Sequence, residues 1–270
     1  MMRRWIRLPM VAVLMLLSAA AVAAPMPSSV LWTSLLQRHV VVIDGGHASR
    51  VDYAGMRRDR SALDAYTREL SAITPAQFAQ WNRTDQMAFL INAYNAFTVQ
   101  LVLRRWPRLS SIKDIGGLFS RPWKQDFFVL LGQRTNLDHI ESLLRTGKYY
   151  ADPRVHFALN CASIGCPMLR AKAYAGGRLD RQLEDAMQRF LGDRSRNRYD
   201  PSRDVLRVSR IFDWYAGDFR DGPGRSVAGL LAAHAAQLSD DPKIQARIRA
   251  QRVDIQFLPY NWQLNAVGAP

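Results

Sequence analysis

Cysteine is scarce in this sequence, and the common catalytic motifs are missing. The 270 residues include only two cysteines, Cys161 and Cys166. There is no H-E-x-x-H, G-x-S-x-G, Walker-loop or dinucleotide-binding motif. The histidines are too dispersed to supply metal ligands at a recognisable spacing. The sequence therefore gives no support to the enzyme classes that these motifs define, and we expect neither a metal nor another cofactor.

Long hydrophobic runs are also missing beyond the N-terminus. Arg3, Arg4 and Arg7 form a basic start, Leu8 to Leu17 form a short apolar run, and the triplet 21–23 reads Ala-Val-Ala. This order is typical of a cleaved signal peptide, and the run is short for a membrane span. We expect residues 1–23 to be removed and the mature protein to be periplasmic or secreted, without a membrane span.

Acidic residues are outnumbered, because 37 Lys and Arg stand against 23 Asp and Glu and give a formal charge of +14. Nucleic acid is the usual partner of such a chain, but export argues against it. The basic residues are dispersed, which favours an ordinary solvated surface; anionic cell-envelope components are the alternative partner. We predict no nucleic-acid partner, and the partner itself stays unknown.

Hydrophobic residues make up 48% of the chain, enough for a sizeable core. Helical patterns outnumber scattered strand patterns, so the sequence predicts an α+β fold in a helix-rich single domain with a few short strands. Its central element is a buried helix over about 85–105, apolar almost all round. We divide the chain into a signal peptide (1–23), a leader with the first strand (24–50) and one globular domain (51–270).

Two amides interrupt this apolar helix. Asn92 and Asn95 lie beside each other on the helix surface, and a buried amide without partners costs about 1–3 kcal/mol. They either form a structural network that ties loops to the helix, or they orient a ligand or catalytic group.

The cysteines lie in the stretch 156–167, HFALNCASIGCP. Whether this stretch is a strand or a helix, His156 shares a face with Asn160, and Cys161 does not share one with His156. In an oxidising compartment, a Cys161–Cys166 disulfide is the favoured interpretation. A reactive thiolate at Cys161 with His156 as its base, or two buried inert thiols, are the alternatives.

Six sequence words resemble the domain of unknown function 547 family. In chain order they are FLINAYNAFTVQLVL (89–103), SIKDIG (111–116), LDHIESLLR (137–145), DPRVHFALNCASIGCPMLR (152–170), IFDWYAGDF (211–219) and YNWQLN (260–265). The resemblance as a whole covers roughly Val51 to Asn265. The resemblance implies a single domain found in many exported bacterial proteins and carries no catalytic mechanism. The segment LDHIESLLR also contains Glu141.

Two functions follow as hypotheses. The favoured one is a disulfide-stabilised binding or interaction module of the cell envelope. The alternative is a cysteine-dependent hydrolase or acyl transferase. Its candidate catalytic residues are Cys161, His156, Asn92, Asn95 and Glu141.

Overall fold

Helices outnumber strands in the part of the chain that the structure describes. This computed structural model describes residues 26–116, 121–146, 151–220 and 224–268, so the predicted signal peptide lies outside the described residues. The helices are α1 (Ser29–His39), α2 (Tyr53–Arg58), α3 (Arg60–Ala72), α4 (Pro75–Ala79), α5 (Arg83–Leu103), α6 (Leu137–Arg145), α7 (Leu179–Gly192), α8 (Ile211–Trp214), α9 (Val227–Ala233), α10 (Ala235–Leu238) and α11 (Pro242–Arg249). The predicted α+β class and helix-rich single domain are confirmed.

The strands are short and form small sheets. They are β1 (Val40–Ile43), β2 (Ala48–Val51), β3 (Phe128–Leu130), β4 (Gln133–Thr135), β5 (Arg198–Asp200), β6 (Val205–Val208) and β7 (Asp254–Phe257). β1 pairs with β2 and β3 with β4, in both cases antiparallel. In the third sheet, β6 lies between antiparallel β5 and parallel β7.

The predicted central helix is α5, which is 21 residues long and buried over most of its length. It begins earlier than expected because the side chain of Asn82 accepts the backbone N–H of Asp85 at 2.9 Å and caps the helix. The sequence also offers Thr84 or Asp85 as the cap, and both lie inside the helix instead. The helix ends at Leu103, before the Trp106-Pro107 pair that the sequence marks as a boundary.

Two hydrophobic cores share the interior. The first surrounds α5 and includes the stacked pairs Trp32–Tyr66 and Phe97–Phe128. The second lies between α7, α8 and β6, and its aromatic centre consists of Phe157, Phe190, Phe212 and Phe219. Tight packing of such rings disfavours cavities in either core.

Residues before Val51 contribute to the first core. Trp32 of α1 is buried there, and β1 pairs with β2 in the register Val40 to Val51. The segment that the sequence assigns to a leader and first strand thus packs against the same helices as the rest. The domain boundaries themselves stay predictions.

The segment after β7 connects both cores. β7 belongs to the second-core sheet, and the chain then forms isolated bridges that pair Gln263 with Ser111, Leu264 with Ser163 and Ala266 with Val51. Tyr260 and Trp262 lie on this connecting segment. Their position is therefore set by backbone pairing on both sides.

Candidate functional site

Cys161 and Cys166 form a disulfide, which confirms the favoured interpretation of the two cysteines. Their Cα atoms are 6.0 Å apart, within the usual range for such a bond. Cys161 is half-buried, whereas Cys166 is buried. The Cys161 sulfur in this state is bonded and is no thiolate, so nucleophilic attack by it requires prior reduction.

The disulfide lies beside the hydroxyl of Tyr260. The Tyr260 Oη atom is 3.2 Å from both sulfurs and 3.0 Å from the Ser163 Oγ atom. Gly165 allows this approach, because a Cβ atom at that position would lie 2.8 Å from the tyrosine ring. The disulfide loop and Tyr260 therefore form one packed unit.

Both sulfur-bearing residues line a cleft of about 820 Å³. Its aromatic residues are Tyr94, Trp123, Trp214, Tyr215, Tyr260 and Trp262, and its charged residues are Lys113, Arg121, Asp138, Glu141 and Arg145. His156 also lines it. An apolar concave site with a few convergent polar groups is the usual form of a ligand site.

His156 is held by a carboxylate that sequence reasoning did not select. Its Nε2 atom lies 2.7 Å from Oδ2 of Asp218, and its ring stacks on Tyr215 with 4.0 Å between the centroids. An ionised carboxylate can only accept hydrogen bonds, so the Nε2–H donates to Asp218. A neutral His156 then has Nδ1 as its acceptor.

Arg145 supplies the second donor to Asp218. Its Nε and Nη2 atoms lie 2.6 and 3.2 Å from the two carboxylate oxygens, and its Nη1 atom lies 3.7 Å from Glu141. Burial disfavours the charged form of Asp218, but the hydrogen bonds from His156 and Arg145 outweigh it and hold the pKa of that carboxyl well below its ordinary value. Asp218 is therefore ionised throughout the physiological pH range.

The tyrosines of the cleft stay protonated. Burial raises the pKa of Tyr260 to about 12. Burial also raises the pKa of Tyr94 and of Tyr215, and in both cases the nearby Glu141 carboxylate adds to the effect. These three hydroxyls are therefore neutral donors and acceptors rather than bases.

The predicted pairing of His156 with Asn160 is wrong. The chain is neither a strand nor an α-helix there: a 3-10 turn over Pro153–Phe157 ends before Asn160, and the two side chains bind different partners. The Asn160 amide donates to the Pro167 carbonyl and accepts the Ala162 N–H. It shapes the disulfide loop.

Asn92 and Asn95 bind backbone. The Asn92 amide donates to the Tyr174 carbonyl and accepts the Tyr174 N–H, both at 2.9 Å. The Asn95 amide donates to the Ala158 carbonyl at 3.0 Å and accepts the Asn160 N–H at 2.9 Å. Both amides are outside the cleft lining, and these contacts have the form of the structural network that the sequence offered as one of two interpretations.

Of the five candidate catalytic residues, the cleft brings together Cys161, His156 and Glu141. Sequence reasoning missed their closest partners, Asp218, Arg145 and Tyr215. Two of these lie in the segment IFDWYAGDF, whose two acidic residues among aromatic rings were the available signal.

The described residues contain neither a metal-binding cluster nor a membrane-spanning helix. No group of three or more His, Cys, Asp or Glu side chains there is arranged to hold a metal ion. None of the helices in the same ranges combines the length and hydrophobicity that a membrane crossing needs.

The cleft and fold define an α+β domain with a solvent-facing polar and aromatic site. Residues 78–191 match the model of the family described as a protein of unknown function, DUF547. The matched segment covers less than half of the chain, and over it the chain is similar to that family. No curated protein and no solved structure matches it. The words at 211–219 and 260–265, which complete the cleft, lie outside the matched segment.

Proposed function

We propose that the protein is an exported ligand-binding domain of the cell envelope, whose cleft beside the disulfide takes a ligand with both an apolar face and hydrogen-bonding groups. One observation carries this proposal: six aromatic residues and charges of both signs line a single cleft. A binding role requires no thiolate, and the bonded state of Cys161 and Cys166 is compatible with it. Export rests on the signal-like residues 1–23 and supplies the disulfide-permitting compartment.

The experiment uses intrinsic tryptophan fluorescence, because three tryptophans line the cleft. The purified protein is titrated with the lipid, glycan and low-mass fractions of a bacterial envelope. We expect one fraction to change the emission of the wild type and to act on Trp214→Ala only at about tenfold higher concentration or more. Val129→Ala on β3, whose side chain is exposed and outside the cleft lining, is the control and should respond like the wild type. If no fraction acts through Trp214, the binding function is wrong.

A second candidate is a cysteine-dependent hydrolase or acyl transferase. It is supported by the presence of Cys161 and of the His156–Asp218 pair in the same cleft, which is the nucleophile, base and orienting-group arrangement in outline. This second function requires the Cys161–Cys166 disulfide to be reduced. Mass spectrometry of exported protein after alkylation tests it: both cysteines protected from alkylation without reductant would exclude a standing thiolate.

A further inference from the structure

The aromatic residues of the cleft continue into a second, neighbouring depression. This depression has a volume of about 560 Å³, and Tyr260 and Trp262 line both it and the main cleft. The two rings are 4.5 Å apart between centroids. They therefore form a ridge between two open sites, and a ligand long enough to cross it contacts both.

The ridge extends on the cleft side as a series of ring contacts. Trp214 lies 5.6 Å from Trp262 and 4.9 Å from Tyr260, and Trp123 lies 5.7 Å from Trp262. The Trp214 side chain is 45% exposed. A tryptophan that stays this accessible contributes a flat apolar surface to solvent, which is the property of a binding site rather than of a core.

Hydrogen-bonding side chains border the ridge on both sides. On the side of the second depression they are the hydroxyls of Ser110 and Ser111 and the amides of Asn261 and Gln263. On the cleft side, the protonated hydroxyl of Tyr215 hydrogen-bonds to Glu141, and the carboxylate of Glu141 can accept further hydrogen bonds. The matching ligand has flat C–H faces and many hydroxyl or amide groups around its edge.

We propose that the two depressions together bind a carbohydrate chain that crosses the Tyr260–Trp262 ridge. The C–H bonds on the face of a pyranose carry partial positive charge and pack on the negative face of an aromatic ring, while the equatorial hydroxyls reach the polar groups at its edge. An acyl chain would displace water from the charged groups of the cleft without offering them hydrogen bonds in its place, which is costly. This inference rests on the proposed binding function and names the ligand class.

The experiment uses an array of neutral, acidic and amino-sugar oligosaccharides, followed by calorimetry with the bound series from one to five sugar units. We expect the affinity to rise at least about tenfold from one to four units, since longer chains occupy both sides of the ridge. Trp214→Ala should weaken binding about tenfold or more, and Trp214→Tyr, which keeps a ring, should stay within about threefold of the wild type. Val129→Ala is the control.

Three results would overturn the inference. One is an array without any signal, and another is an affinity that does not depend on chain length. The third is a Trp214-dependent fluorescence response to lipid vesicles or peptides but not to oligosaccharides. This third result would support a binding function and exclude only carbohydrate as the ligand. Failure of the carbohydrate proposal can therefore be distinguished from failure of the binding function. Circular dichroism of each variant separates lost binding from lost folding.

Discussion

Tyr94 and Asn95 are neighbours on α5, yet they belong to two different polar environments. Asn95 binds the backbone of the disulfide-loop segment with both groups of its amide, whereas Tyr94 lines the cleft. The amides of α5 are satisfied inside the protein. The polar groups of the cleft, by contrast, line a space that a ligand can enter. Polar residues in an apolar helix therefore divide into those that hold the fold and those that are available to a ligand.

The largest effect on the free energy of unfolding is expected when one of the buried amides, Asn95, is removed. Asn95→Ala leaves the buried Ala158 carbonyl and Asn160 N–H without partners and should lower the free energy of unfolding by about 2–3 kcal/mol. Urea denaturation measures this. The exposed amide variant Asn261→Ala is the matched control and should stay within about 0.5 kcal/mol of the wild type. A neutral Asn95→Ala would contradict the structural role.

The next effect concerns the disulfide. Replacing both cysteines by alanine removes a short covalent loop and should destabilise the fold by about 2 kcal/mol, because the unfolded chain gains conformational freedom. Reductant should shift the denaturation midpoint of the wild type in the same direction and leave the double variant unchanged. An identical denaturation midpoint for the wild type with and without reductant would show that the disulfide does not stabilise the fold.

Asp218 provides a test on the cleft side. Asp218→Asn removes the carboxylate that accepts from the Arg145 guanidinium and the His156 ring, and should cost about 1–2 kcal/mol at pH 7. Because the folded pKa of Asp218 lies below its unfolded value, its contribution is present above about pH 4 and is lost as the pH falls toward the folded pKa. The difference between wild type and variant should therefore shrink in acid, as urea denaturation at pH 7 and pH 3 will show.

The matched control for this measurement is Asp213→Asn. Its exposed carboxylate has a 3.5 Å ion pair with Arg210, and such pairs contribute little. The change at pH 7 should be within about 0.5 kcal/mol. If the loss of unfolding free energy in Asp218→Asn grew in acid, it would change in the direction opposite to the expected one. That result would contradict an ionised Asp218 that accepts from His156.

The smallest effect on stability is expected at the exposed ring. Trp214→Ala should lower the free energy of unfolding by about 1 kcal/mol or less, since nearly half of the side chain is already in solvent. Thermal denaturation measures this against Val129→Ala. A loss of unfolding free energy much above about 2 kcal/mol would show that Trp214 stabilises the fold, and it would weaken the contrast between the buried amides and the cleft residues.

Local sequence patterns predicted most of the fold. The sequence predicts a strand at 205–208, a helix capped by Thr135 or Asn136, and a helix over 178–191. The structure has β6, α6 capped by Asn136, and α7 within a residue of these bounds, because hydrophobic spacing and caps act over a few residues. The sequence also predicts a helix over 211–219, whereas α8 ends at Trp214.

The cleft was harder to predict because its contacts are distant in sequence. His156 and Asp218 are 62 residues apart, and Tyr260 lies 99 residues from Cys161. Nothing in local periodicity joins such positions. The disulfide was predictable, since both cysteines lie in one loop and no third cysteine competes.

The connecting segment after β7 has a consequence for how the protein is made. A chain synthesised from its N-terminus produces Val51, Ser111 and Ser163 long before their bridging partners at 263–266 exist. Tyr260 and Trp262 are likewise the last residues of the cleft to be translated. A nascent chain can form α5 and the disulfide loop early, but the ridge is completed only when residue 266 is in place. A chain shortened before Asp254 would still contain the residues of the central helix but would lack Tyr260 and Trp262, and with them this side of the cleft.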